Sequence, residues 1–206
     1  MQMMSSKPAG YAVKMQSTGF VHRLCCGTII AVLALLVLSA EKSTGAQTTE
    51  EYRVEAAFLF HFAQLVDWPP DAQKGVDNSL LLCTIGDDPF QGALEETVAG
   101  KTVGNRIIHI RHLGEPQDMQ ACQIVFIGKT QSKHIPMLVA SLHNAPVLTV
   151  GEAANFLAAG GMIRFVLEEN RVRFEINLGA AESARLKIGS RLLVLAEHVV
   201  GEGPGK

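Results

Sequence analysis

The chain has 206 residues, of which 48% are hydrophobic and 18% charged, with a formal net charge of −2 at pH 7. That length and hydrophobic share suffice for one domain with a real core, and they exclude a disordered polyelectrolyte. The balanced charge, without a basic stripe, excludes a nucleic-acid binder.

Residues 1–46 read as a secretory signal peptide. Lys7, Lys14, His22 and Arg23 form a positive n-region, Cys25 to Ala40 an apolar core, and Ser43-Thr44-Gly45-Ala46 a small-residue cleavage region. The apolar run falls short of the about 20 residues that a bilayer span needs, so cleavage is expected after Ala46, with Ala40 as second choice and an uncleaved anchor as the competing reading. Cys25 and Cys26 open the apolar core rather than follow it, which argues against lipidation. No later apolar stretch is long enough for a span, so the domain 47–200 is expected in the periplasm, followed by a disordered tail at 201–206.

In chain order, Glu50 to Val66 predicts a helix, with Val54, Phe58, Leu59, Phe62, Leu65 and Val66 on one wide stripe. Phe60 projects away from that stripe, toward more of the same domain or toward a partner. Trp68-Pro69-Pro70 ends the helix. Leu80 to Ile85 reads as a strand, and Asp87-Asp88-Pro89 opens a helix that runs to about Val98 and is closed by Gly100. Strands come next at Arg106 to Arg111 and Cys122 to Ile127, then a helix at Ser132 to Leu142 and a strand at Val147 to Val150. This alternation predicts an α/β fold: a single three-layer domain whose mostly parallel sheet is flanked by helices.

The pattern then changes to a C-terminal antiparallel hairpin. Met162 to Glu168 and Arg171 to Asn177 both alternate strictly and are separated by Glu169-Asn170. A two-residue turn places Phe165 opposite Phe174 and Ile163 opposite Ile176 on one face. On the other face it sets Arg164 opposite Glu175 and Glu168 opposite Arg171, pairings that cross-strand energetics favour. A helix from about Ser190 to Val199 completes the domain.

No catalytic residue, metal site or cofactor is assigned. The nucleophile elbow of serine hydrolases and the Gly-rich phosphate loop are both missing from the sequence. His109 and His112, three apart on a strand, point to opposite faces and cannot share a metal. Gly86, Asp87 and Asp88 come just after a strand, where α/β sheets place ligands, and form an alternative small-molecule crevice; the simpler reading is that the aspartates cap the next helix. Cys83 and Cys122 are the cysteines left after export. They form a disulfide if their strands are neighbours, and stay buried thiols if the Cα atoms are more than about 7 Å apart. Arg164, Arg171, Arg173 and Glu175 form a charged sheet face, readable as a docking surface or as a solvated exterior.

The ordered segments Val54-Glu55-Ala56-Ala57-Phe58-Leu59-Phe60, Phe62-Ala63, Trp68-Pro69, Ile85-Gly86-Asp87-Asp88-Pro89-Phe90, Leu148-Thr149-Val150, Gly160-Gly161-Met162-Ile163 and Arg171-Val172-Arg173-Phe174-Glu175-Ile176-Asn177-Leu178 resemble the YfiR-type periplasmic regulators. The resemblance implies a repressor that binds the periplasmic sensor region of a membrane-bound diguanylate cyclase of the YfiN kind and lowers cyclic-di-GMP, and with it biofilm formation. It further implies sequestration by a YfiB-like outer-membrane lipoprotein, and it leaves a homodimer open. Cys83 and Cys122 match positions that pair in some members; a second pair is missing, because Phe156 to Arg164 contains no cysteine. Glu175 falls where that family's activator-contact region lies. A small-molecule binder or a sensor-kinase adaptor in the periplasm is the alternative.

Overall fold

The structure is a computed structural model that describes residues 43–73 and 78–201. The n-region and apolar core of the expected signal, and tail residues 202–206, lie outside the described residues. Among the described residues no helix is long and apolar enough to cross a membrane.

Helix α1 (Ser43–Leu65) leads into a short strand β1 (Val66–Asp67) and a 3-10 turn at Pro70–Gln73. Then come β2 (Ser79–Ile85), α2 (Ala93–Val98), β3 (Thr102–Val103), β4 (Arg106–Leu113), β5 (Ile124–Ile127), α3 (Ile135–Ser141) and β6 (Leu148–Gly151). The chain closes with β7 (Ile163–Glu168), β8 (Arg171–Asn177), α4 (Leu178–Ser183), β9 (Lys187–Ile188), α5 (Ser190–Leu195) and β10 (His198–Val200).

The main sheet has eight strands in the order β10-β8-β7-β6-β5-β2-β4-β3. Its centre, β4, β2, β5, β6 and β7, is parallel, whereas β8 runs antiparallel to β7 and β3 antiparallel to β4. The parallel strands β5 and β6 are buried at every residue, because helices cover both faces of the sheet. On one face Leu80, Leu82, Phe126 and Val150 pack with Leu59 and Phe62 of α1 and Leu94 of α2. On the other, Cys83, Ile85, Val125 and Ile127 pack with Ile135 and Leu138 of α3. These are the three layers expected of this α/β domain.

The hairpin has the expected register, with Phe165 opposite Phe174, Ile163 opposite Ile176, Arg164 opposite Glu175 and Glu168 opposite Arg171. Glu169 and Asn170 both take positive φ, 47° and 63°, as a type I′ turn demands. The apolar face of the hairpin receives α1. Phe62 lies 5.7 Å from Phe165 and 5.2 Å from Phe174, and Phe58 lies 5.3 Å from Phe174, measured between ring centroids. Aromatic contacts of this kind add about 0.5–1.5 kcal/mol each beyond the area they bury.

Several boundaries differ from the sequence expectations. The buried arc of α1 centres on Leu59 and includes Glu55, Ala56, Phe60, Phe62 and Ala63, while Val54 lies at its exposed edge. Phe60 is 9% exposed and carries Lys101 Nζ 4.7 Å from its ring centroid, so it packs within its own domain and offers a partner little surface. The helix expected from Asp87 begins only at Ala93. Asp88 Oδ1 accepts from the Phe90 backbone N–H at 3.0 Å, making a local turn, and Gln91 and Gly92 both take positive φ. That detour drives Phe90 into the core against Phe126, at 4.8 Å between centroids. The final helix stops at Leu195, because His198–Val200 pairs with the free edge of β8. A helix at Leu178–Ser183 was not expected; Asn177 Oδ1 caps it by accepting from the Ala180 N–H at 3.0 Å.

Cys83 in β2 and Cys122, two residues ahead of β5, form a disulfide with Cα atoms 6.1 Å apart. Cys122 lies just outside the strand expected for it, at the end of a 3-10 turn over Pro116–Ala121. The bond is possible because β2 and β5 are neighbours, with Cys83 opposite Val125. For a sequence separation of 39 residues, the chain-entropy account gives about 4 kcal/mol of stabilisation. A domain of this size loses about 2–4 °C of Tm per kcal/mol, so replacing both cysteines by serine is expected to lower Tm by about 8–16 °C in scanning calorimetry. An unchanged Tm would mean that the crosslink restricts nothing the rest of the fold does not already restrict.

Candidate functional site

The polar face of the hairpin forms the first site. Arg164, Glu175 and His198 stand in one row across β7, β8 and β10. Arg164 binds Glu175 Oε2 through both Nε at 2.8 Å and Nη2 at 2.6 Å, and its Nη1 donates to the Ala154 carbonyl at 2.7 Å. The pair is three-quarters or more buried, with side-chain exposures of 21% and 15%. It is therefore an internal brace as much as a surface feature. Arg171 and Arg173 of β8 are exposed, and Arg173 makes only a loose contact with Glu197 at 3.9 Å. Glu168, opposite Arg171, and His198, opposite Glu175, are exposed on the same face, which therefore carries charges of both signs.

The second site lies at the carboxyl ends of the parallel strands. The connection out of β2 passes through α2 on one face of the sheet and that out of β5 through α3 on the other, so the two chains diverge at a topological switch point. Gly86-Asp87-Asp88 sits there against Lys129-Thr130-Gln131. The two loops interlock: the Asp87 N–H donates to Thr130 Oγ1 at 3.2 Å, and a Cβ on Gly86, whose φ is +96°, would come within 2.8 Å of that same oxygen. Gly86 lines a cavity of about 400 Å³ with Leu113, Gln131, His134 and Met137; Asp87 and Asp88 lie outside its wall. The Asp88 carboxylate is engaged by the Phe90 N–H.

Beside the switch point, α1 brings Tyr52 and Glu55 onto Lys129, after β5, and Glu152, after β6. Lys129 Nζ lies 2.7 Å from Glu152 Oε1, which also accepts from the Tyr52 hydroxyl at 3.3 Å. The Glu152 side chain is buried, with 4% of it exposed, while Lys129 reaches it from the surface. Glu55 is 6% exposed, and among the described residues neither its Oε2 nor that of Glu152 has a hydrogen-bond partner. Burial pushes the Glu55 carboxyl up to about 9, helped by the charge of Glu152, so it is neutral at pH 7. Burial pulls the Lys129 ammonium down, but the hydrogen bond and charge of Glu152 outweigh that and leave it raised. Tyr52 is raised by burial first and by Glu152 second.

The sequence matches the YfiR/HmsC-like family over residues 52–197, well over half of the chain. The chain belongs to the YfiR/HmsC-like family. Among solved structures, a conserved domain protein from Vibrio cholerae O1 biovar eltor is similar at 10% identity and a TM-score of 0.50, over 70% of this chain and 60% of that one. An ABC domain in complex with L-Trp from Streptococcus pneumonia reaches 12% identity and a TM-score of 0.45, over 63% of this chain and 60% of that one. The chain thus spans about three-fifths of either structure's length, and at 10% identity the likeness to the Vibrio protein is one of fold alone.

Of the residues singled out from the sequence of this YfiR/HmsC-like chain, the structure unites Arg164 with Glu175 and Cys83 with Cys122. It separates Phe60 and the two aspartates from any shared surface. Tyr52, Glu55, Lys129 and Glu152 were missed. One signal was available: Glu55 stands four residues before Leu59 and seven before Phe62, on the buried stripe itself, where an acid is out of place.

The raised Glu55 carboxyl has a thermodynamic consequence. Its folded pKa exceeds the unfolded value of about 4.5, so its contribution is fully present below that value and is lost as pH rises toward about 9. The groups that face it are Glu51, Tyr52, Lys129 and Glu152. Glu55→Gln is expected to flatten the fall of Tm across that pH window and to melt above the parent at its alkaline end. Parallel melting curves for the two proteins would disprove the assignment.

Proposed function

We propose that the protein is a periplasmic regulator that binds the periplasmic sensor region of a YfiN-like, membrane-bound diguanylate cyclase and holds it inactive, lowering cyclic-di-GMP. Membership of the YfiR/HmsC-like family carries this reading, since that family is regulatory rather than catalytic. The Cys83–Cys122 bond suits an oxidising compartment. The uneven division of the hairpin supports docking: one face is filled by the phenylalanines of α1, and the other presents Arg171 and Arg173 together with Glu168 opposite Arg171. Exposed arginines at an interface steer and select a partner of opposite charge. Repression then needs only a preference for one conformation of the sensor, and a tenfold shift costs about 1.4 kcal/mol of differential affinity. Sequestration by a YfiB-like lipoprotein, and a homodimeric form, belong to the same reading.

Deleting the gene is expected to raise cellular cyclic-di-GMP and surface-attached growth, measured by mass spectrometry and crystal-violet staining. Unchanged nucleotide in the deletion strain would refute repression. At the residue level, Arg171→Glu with Arg173→Glu is expected to weaken binding to the cyclase sensor by about tenfold or more with little change in Tm. Glu175→Lys is expected to do the reverse first, lowering Tm because it leaves Arg164 partly buried without its partner. Binding that survives the double arginine reversal would move the interface off this face.

A further inference from the structure

We propose that Met137 is a modification site, its thioether converted to the sulfoxide by hydrogen peroxide while the fold stays intact. Helix α3 buries Ile135, Leu138 and Val139, with Leu142 just beyond its end, an arc at spacings of three and four residues. Met137 falls off that arc and is 59% exposed, an apolar side chain that the core does not use. Three methionines follow Ala46 in the sequence, and the other two are buried: Met119 is 0% exposed and Met162 5%. Burial therefore sorts one chemical group into a reachable copy and two shielded ones.

A second observation removes the competing groups. Oxidation of cysteine starts from the thiolate, and Cys83 and Cys122, the cysteines that follow Ala46, are bonded to each other and have none to offer. Trp68 is 4% exposed, and its indole N–H donates to the Gln123 carbonyl inside the fold. The exposed thioether is thus left as the group that peroxide meets first. Its sulfur lone pair attacks one peroxide oxygen, and the S–O bond forms as the O–O bond breaks. The proton on the transferred oxygen passes to the departing hydroxide, so water leaves; sulfur gives up two electrons and the peroxide takes them. Methionine sulfoxide reductases reverse the step, the oxygen leaving as water while a dithiol closes to a disulfide. The product sets a strong hydrogen-bond acceptor where an apolar side chain stood. Met137 borders the cavity of about 400 Å³ at the carboxyl ends of β2 and β4, so the polarity of that wall, shared with Ile85, Leu113 and Leu138, is what the modification alters.

The site uses neither Arg171 nor Arg173, so its test is independent of cyclase docking. The full exported chain, purified from the periplasm, is treated with graded hydrogen peroxide, and sulfoxide is quantified at each methionine by peptide mass spectrometry. In the folded protein Met137 is expected to react about tenfold or more faster than Met119 and Met162; in urea, with the disulfide intact, the three rates are expected to converge. Protein oxidised at Met137 alone is expected to keep a cooperative melt, with Tm within about 2 °C of the untreated protein, as for a surface substitution. Met137→Leu is expected to delete the early oxidation event and to leave the melt unchanged. Equal rates at Met137 and Met162 in the folded, unmutated protein, or loss of the cooperative melt on oxidation at Met137 alone, would overturn the proposal.

Discussion

The contact of Phe58 and Phe62 on α1 with Phe165 and Phe174 on the hairpin is the constraint on which the other features depend. Four rings at 5.2–6.1 Å between centroids fix the helix across the hairpin. Because side chains alternate along β7 and β8, committing one face to these rings sends Arg164, Arg171, Arg173 and Glu175 to the other. The apolar half of the hairpin is thereby given over to stability, and the charged half is left outside the core. Truncating a ring such as Phe62 would remove on the order of 3–5 kcal/mol, a large part of a domain's net stability.

The same placement of α1 has a second outcome at the carboxyl edge of the sheet. With Phe58 and Phe62 anchored on the hairpin, the preceding turns carry Tyr52 and Glu55 over the loops after β5 and β6. Glu152 tolerates burial because Lys129 and Tyr52 reach it. Glu55 has no such partner among the described residues and stays in the fold as a neutral acid. An isolated carboxylate would be far costlier to bury than a carboxylic acid, so the protonation state is imposed by the packing.

The packing of α1 thus leaves two polar features, the charged face of the hairpin and the buried acids Glu55 and Glu152. Both meet at β7, whose Arg164 braces Glu175 and also borders the cleft lined by Glu55, Lys129 and Glu152. A regulator needs no catalytic machinery, only partners whose binding favours one conformation over another.

By itself the sequence determined the local features: a helix ending before Trp68-Pro69, buried parallel strands, and the hairpin with its turn and register. These are readable because strand alternation and a two-residue turn leave one pairing that keeps apolar beside apolar and acid beside base. The disulfide stayed conditional, since Cys83 and Cys122 meet only through the neighbouring of β2 and β5, a matter of strand order. Tertiary structure alone decided that the Asp87 segment turns before it becomes helical, that His198–Val200 leaves the last helix for the edge of β8, and that Phe60 lies inside. It alone assembled Tyr52, Glu55, Lys129 and Glu152, which lie up to 100 residues apart and share no motif. Their proximity comes from the way strands are ordered and a helix is laid across them, and periodicity, which reports only which side of an element is buried, carries no record of what buries it.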